Sequence, residues 1–124
     1  MAQFDGIDEF TQGYIIAALW STNDDDEQPL DALHSVDDID SETIAEMVGD
    51  CKDFQEANAA LLEAYYVHRP ADHAGHDFWL TRNGHGTGFW DRGLGKLGDD
   101  LAELARVYGE YNLYIGDHGM IYGN

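Results

Sequence analysis

The stretch from Gly75 to Gly95, GHDFWLTRNGHGTGFWDRGLG, constrains the fold more than any other part of the chain. It holds two aromatic runs, Phe78-Trp79 and Phe89-Trp90, separated by Asn83-Gly84 and Gly86. Residues of that kind tolerate positive φ and favour a tight reversal. In an extended chain Phe78 and Leu80 point to one side and Asp77, Trp79 and Thr81 to the other. The pattern predicts a strand over His76–Arg82, with Thr87–Asp91 as its partner.

The chain before this stretch reads as helical. From Ile7 to Ser21, Phe10, Tyr14 and Ala17 recur at helical spacing, and Asp8 and Glu9 suit the exposed N–H groups of a first turn. Leu30, Leu33 and Val36 suggest a short helix or turn. Asp40 or Ser41 caps a longer helical region running towards Tyr66, with Ile44, Met47, Cys51, Phe54, Asn58, Leu62 and Tyr65 on one face. A break near Gly49 to Lys52 would divide it. Pro70 ends this half, because proline disfavours a helical residue before it, and 67–74 reads as a connection.

After the aromatic stretch, Leu97, Leu101, Leu104 and Tyr108 mark a helix over Asp99–Val107, with Gly109 as its C-terminal cap. Asn112–Ile115 and Met120–Tyr122 form a terminal hairpin around Asp117-His118-Gly119. The expectation is an α+β fold: N-terminal helices on a small antiparallel sheet, in the order α-α-α-β-β-α-β-β. At 124 residues, 1–124 is expected to be one domain, with an acidic helical half (1–66) and a β-β-α-β-β half (67–124).

Charge narrows the functional classes. The chain has 25 acidic and 6 basic residues, a formal charge of −19. A small domain needs only about 2–8 units to stay dispersed. Residues 1–66 hold 17 acidic residues against one basic, while 67–124 hold 8 against 5. A merely solubilised or salt-adapted surface would be acidic all round. Direct nucleic-acid binding is disfavoured, since phosphates are repelled, and the expected partner is a basic protein surface. Carboxylates concentrate in two places: Asp24, Asp25, Asp26 and Glu27 before Pro29, and Glu46, Asp50, Asp53 and Glu56 on the long helical region. Positions 46, 50 and 53 follow an i, i+4, i+7 line, which places them on one helix face. These eight residues are the candidate partner-binding set, with Trp79 or Trp90 as an aromatic anchor if exposed.

Catalytic signals are weak. His73-x-x-His76-Asp77, with His85 and His118 elsewhere, invites a metal reading, but neither HExxH nor paired CxxC occurs. Asp77, Asp91 and His85, flanked by Arg82 and Arg92, would make an acid–base site only if the two aromatic runs brought them within hydrogen-bond reach. Gly84-x-Gly86-x-Gly88 lacks the lysine and helix of a phosphate-binding loop. No cofactor and no metal are expected. The single cysteine, Cys51, excludes an internal disulfide and reads as a buried small hydrophobe. No basic-apolar signal segment opens the sequence, and no apolar run approaches the roughly 20 residues of a membrane helix.

The segment AGHDFWLTRNGHGTGFWDRGLG, continued by GDDLAELARVYGEYNLYIGDHG, resembles a family of small proteins encoded by bacteriophages and prophages. The resemblance covers roughly residues 71–119, not the acidic half, and brings no activity onto Trp79, His85 or Arg92. It implies a host-cytoplasmic setting in which small acidic proteins inactivate defence enzymes. The expected function is thus a non-enzymatic inhibitor, an anti-CRISPR or anti-restriction DNA mimic filling a Lys/Arg-lined groove. The alternatives are a structural or assembly protein that docks on a basic partner, and a small metal-binding hydrolase centred on His76, Asp77, His85 and Asp91.

Overall fold

The computed structural model describes residues 6–24 and 26–124. Among the described residues, five α-helices precede a terminal hairpin: α1 (Glu9–Ser21), α2 (Ser41–Ala57), α3 (Ala59–Tyr66), α4 (Ala71–Arg82) and α5 (Lys96–Arg106), then β1 (Leu113–Ile115) and β2 (Ile121–Gly123). Short 3₁₀ turns cover Leu30–Ala32, Val36–Asp38, Phe89–Asp91 and Asp117–Gly119. The fold is α+β, with several helices packed against a short antiparallel two-stranded sheet. In that sheet Leu113 pairs with Gly123, Tyr114 with Tyr122, and Ile115 with Ile121.

Helix α1 lies at the centre. Phe10, Thr11, Tyr14, Ile15, Ala17, Ala18 and Leu19 are all buried, so apolar surface surrounds its axis rather than forming one stripe. Asp8 caps it by accepting the Thr11 N–H at 2.9 Å. Its main partner is α4. The two backbones approach so closely that a Cβ on Gly75 would collide with the Phe10 carbonyl, and one on Gly13 with the Asp72 carbonyl. Glycine, which weakens an isolated helix, is here what permits the two helices to touch.

The aromatic stretch corrects the sequence reading. Residues 76–82 are not a strand but the C-terminal part of α4, and 87–91 is not its partner but a loop ending in the 3₁₀ turn at Phe89–Asp91. The alternation misled because both sides are buried: Asp77, Phe78, Trp79, Leu80, Thr81 and Arg82 are all shielded from solvent. A short run buried all round carries no helical stripe, and periodicity alone cannot tell it from a strand. Pro70 likewise stands at the start of α4 rather than closing the preceding element. The long helical region does break, at Asn58 (φ −124°, ψ 28°), and Gly49 lies inside a continuous α2. The Asp40 cap forms as expected, accepting the Glu42 N–H at 3.1 Å.

One connected set of buried side chains joins these elements. At its centre Phe54 of α2 stacks on Phe78 of α4 with ring centres 4.2 Å apart. Tyr14 meets Trp79 edge-on at 5.2 Å. Cys51 is fully buried, and burial pushes its thiol pKa up, so it behaves as a hydrophobe.

Candidate functional site

The α2 carboxylates are held by the C-terminal segment. The Tyr111 hydroxyl donates to Glu46 at 2.6 Å, and the Tyr108 hydroxyl donates to Asp53. Between them Asp50 accepts from Arg82 Nη1 at 2.8 Å. The chain beyond α5 therefore runs along α2, and Gly123 extends the contact by donating its N–H to Thr43 Oγ1 at 3.1 Å. Glu46 and Asp53 remain exposed in this arrangement, as do Glu42 and Glu56. Burial and these hydrogen bonds push both tyrosine hydroxyls well above their ordinary pKa, burial being the larger cause, so each stays protonated and donating at neutral pH.

Asp50 differs from its neighbours. Its partner Arg82 is buried and also donates to the Tyr14 hydroxyl and to the carbonyls of Gly109 and Tyr108. Its guanidinium lies over the rings of Phe78, Tyr108 and Tyr111. Asp50 thus neutralises an internal cation. It belongs to the scaffold more than to an outward row.

The second predicted cluster sits on the loop after α1. Asp24 braces that loop from within, its side chain accepting the N–H groups of Asp26 at 2.8 Å and Gln28 at 3.0 Å. Asp26 and Glu27 are exposed, and Glu27 adopts φ 60°. Asp25 lies outside the described residues. Asp24 and Asp26 line a cleft with Leu113 and Tyr114, so the C-terminal segment that holds the α2 carboxylates also flanks this cluster.

The His/Asp set separates. His76 and Asp77 line one cleft together with Arg69, Asp72, His73 and Arg92. His85 and Asp91 do not line it, and Asp91 instead accepts from the Thr87 hydroxyl at 3.0 Å. Asp77 is buried and fully engaged: Oδ1 accepts from Arg92 Nε at 3.0 Å and Nη2 at 2.7 Å, while Oδ2 accepts from the Tyr65 hydroxyl at 2.7 Å. With Thr81 Oγ1 accepting the Phe89 N–H at 3.1 Å, it clamps the returning loop onto α4. Among the described residues, no three His, Cys, Asp or Glu side chains form a group able to hold a metal ion.

Of the two tryptophans read as an anchor if exposed, one meets that condition. Trp79 is buried, donating to Ser21 Oγ at 2.8 Å, and is no interface anchor; Trp90 is half exposed. Sequence reasoning missed Tyr108 and Tyr111 as clamps. The available signal was their spacing: three residues of extended chain span about 10 Å, the rise between positions 46 and 53 of a helix. Among the described residues, no helix is long and apolar enough to cross a membrane. Comparison with family models, with curated proteins and with solved structures returns no match.

Proposed function

We propose that the protein is a non-enzymatic binding protein that presents the outer face of α2 to a cationic groove, as an acidic mimic of nucleic acid. The observation that carries this reading is the pair of tyrosine clamps, Tyr111 on Glu46 and Tyr108 on Asp53. They fix exposed carboxylates on a stiff helix instead of leaving them to wander in solvent. Positions 46 and 53 are two turns apart, about 10 Å along the axis. A groove that recognises a duplex places Lys and Arg side chains against phosphates at intervals of this order and gains affinity by releasing counterions. Carboxylates already fixed in position lose less conformational freedom on docking.

Glu42, Glu46, Asp53 and Glu56 are the contact residues of this reading, with Asp26 and Glu27 as a secondary patch. Asp50 supports the face from beneath. The phage-like resemblance supplies a setting, inhibition of a host nucleic-acid-binding defence complex. Two tests follow from the chemistry. The protein should retain nucleic-acid-binding proteins from a bacterial lysate, and duplex DNA should displace them. Long-range attraction of this kind also weakens as salt shortens the screening length. Retention that is indifferent to duplex DNA would refute the reading.

A further inference from the structure

The cleft at the start of α4 has a volume of about 390 Å³ and concentrates basic groups in an otherwise acidic molecule. Gly13 and Ile16 of α1 form its apolar wall. The hydrogen bonds around it fix the proton positions. Trp20 donates its indole N–H to His76 Nε2 at 2.9 Å, so that nitrogen carries a lone pair and the proton of the neutral ring sits on Nδ1. Arg69 Nη2 lies 3.1 Å from His73 Nδ1. A guanidinium only donates, so the proton of His73 sits on Nε2. Both histidines therefore keep one free N–H.

Arg69 adds a further donor. Its guanidinium reaches the Tyr65 hydroxyl, and that hydrogen bond and its charge offset part of the burial-driven rise in the hydroxyl's pKa. Acceptors are scarce by contrast. Both oxygens of Asp77 are taken by Arg92 and Tyr65. Asp72 sits exposed on the rim, with Oδ1 accepting the His73 backbone N–H at 3.1 Å.

We propose that this cleft binds the phosphate group of a small ligand, with Arg69, His73 and His76 as its donors. Three separate side chains offering N–H groups suit a tetrahedral oxyanion better than a planar carboxylate. The Asp77–Arg92 pair holds the floor, and its own donors Nε and Nη2 are spent on that pair. The rim charge of Asp72 opposes the ligand and keeps affinity for the bare anion modest. The site is separate from the α2 face, so either assignment stands or falls without the other.

Titration of the whole protein with inorganic phosphate at constant ionic strength, followed by the imidazole NMR signals of His73 and His76, tests this directly. Both rings should shift along one saturable curve. Arg69→Gln should weaken the affinity by about tenfold or more, the loss of a charge-assisted donor, and Asp72→Asn should tighten it. Acetate should bind more weakly than phosphate. No saturable shift, acetate binding as tight as phosphate, or unaltered affinity in both variants would overturn the assignment. Because Asp72 is exposed, Asp72→Asn keeps the test open if Arg69→Gln fails to fold.

Discussion

Arg82 Nη1 on α4 lies 2.8 Å from the Asp50 carboxylate on α2, and this pair ties the two halves of the chain together. The arginine side chain is 4 % exposed and the aspartate 37 %. Burial alone would lower the Arg82 pKa, but Tyr14 and Asp50 outweigh it and raise it, so the cation persists inside the fold. It serves acceptors on α1, α2 and the segment after α5 at once.

Arg82→Lys should therefore destabilise the protein by about 2–4 kcal/mol in urea unfolding, although charge is kept. A lysine ammonium cannot span the acceptors that the planar fork reaches. Asp50→Asn should cost less, because its carboxylate is half open to water. Equal stability of Arg82→Lys and the parent protein would contradict the role given to this residue.

The glycines make opposite predictions. Gly75→Ala should cost about 3 kcal/mol or more, because the added methyl meets the α1 backbone, which cannot move aside like a side chain. Gly49→Ala, inside α2 with nothing within 4 Å of the new carbon, should stabilise by about 0.5–1 kcal/mol. Thermal and urea unfolding of the two variants measures both signs.

These glycines also show how far the sequence could be read. The N-terminal helices, the Asp40 cap and the terminal hairpin follow from local signals such as apolar stripes, a capping aspartate and turn residues. Helix α4 does not, because its neighbours bury every residue from Asp77 to Arg82 and leave no polar face there to set the period. Its burial is a tertiary fact, written in Gly75 and Gly13 but readable only once the two are known to meet. The candidate site divides in the same way. Glu46 and Asp53 are outward, as their spacing suggests, while Asp50 is diverted by Arg82, thirty-two positions away in the sequence.

Alkaline pH should unfold the protein through its tyrosines. Burial raises the pKa of Tyr14, Tyr65, Tyr108 and Tyr111 in the fold above the ordinary value near 10. Between the unfolded and folded values the folded state binds more protons, so stability falls as pH rises. It is fully present below about pH 10 and declines above it. Absorbance titration at 295 nm should show these hydroxyls ionising late and together with loss of helical ellipticity. Early ionisation of all tyrosines with the fold intact would contradict their burial.

On the acid side, His76 behaves oppositely. Burial lowers its pKa, so the unfolded chain protonates first and stability drops as pH falls below about 6.5. Protonated His76 also cannot accept the Trp20 N–H. His76→Asn should reduce the part of the stability loss between pH 7.5 and 5.5 that the parent shows. A loss of the same size in both proteins would contradict the pairing.

The clamps on α2 carry a functional prediction. Tyr108→Phe and Tyr111→Phe remove one hydroxyl each from an exposed carboxylate while leaving net charge unchanged. Each should cost about 1 kcal/mol of stability. In the double variant partner dissociation should quicken, with association changed little, because the long-range field is the same. Surface plasmon resonance separates the two rates, and an unchanged dissociation rate would remove the clamps from the binding account.

The most direct measurement is capture from bacterial lysate at low salt by the parent protein and by a form carrying Glu42→Lys, Asp53→Lys and Glu56→Lys, with Asp50 left intact to preserve the fold. The parent should retain nucleic-acid-binding proteins that duplex DNA releases, and the charge-reversed form should retain none of them. Identical retention by the two proteins, or retention that duplex DNA leaves in place, would contradict the claim that the α2 carboxylates stand in for phosphates.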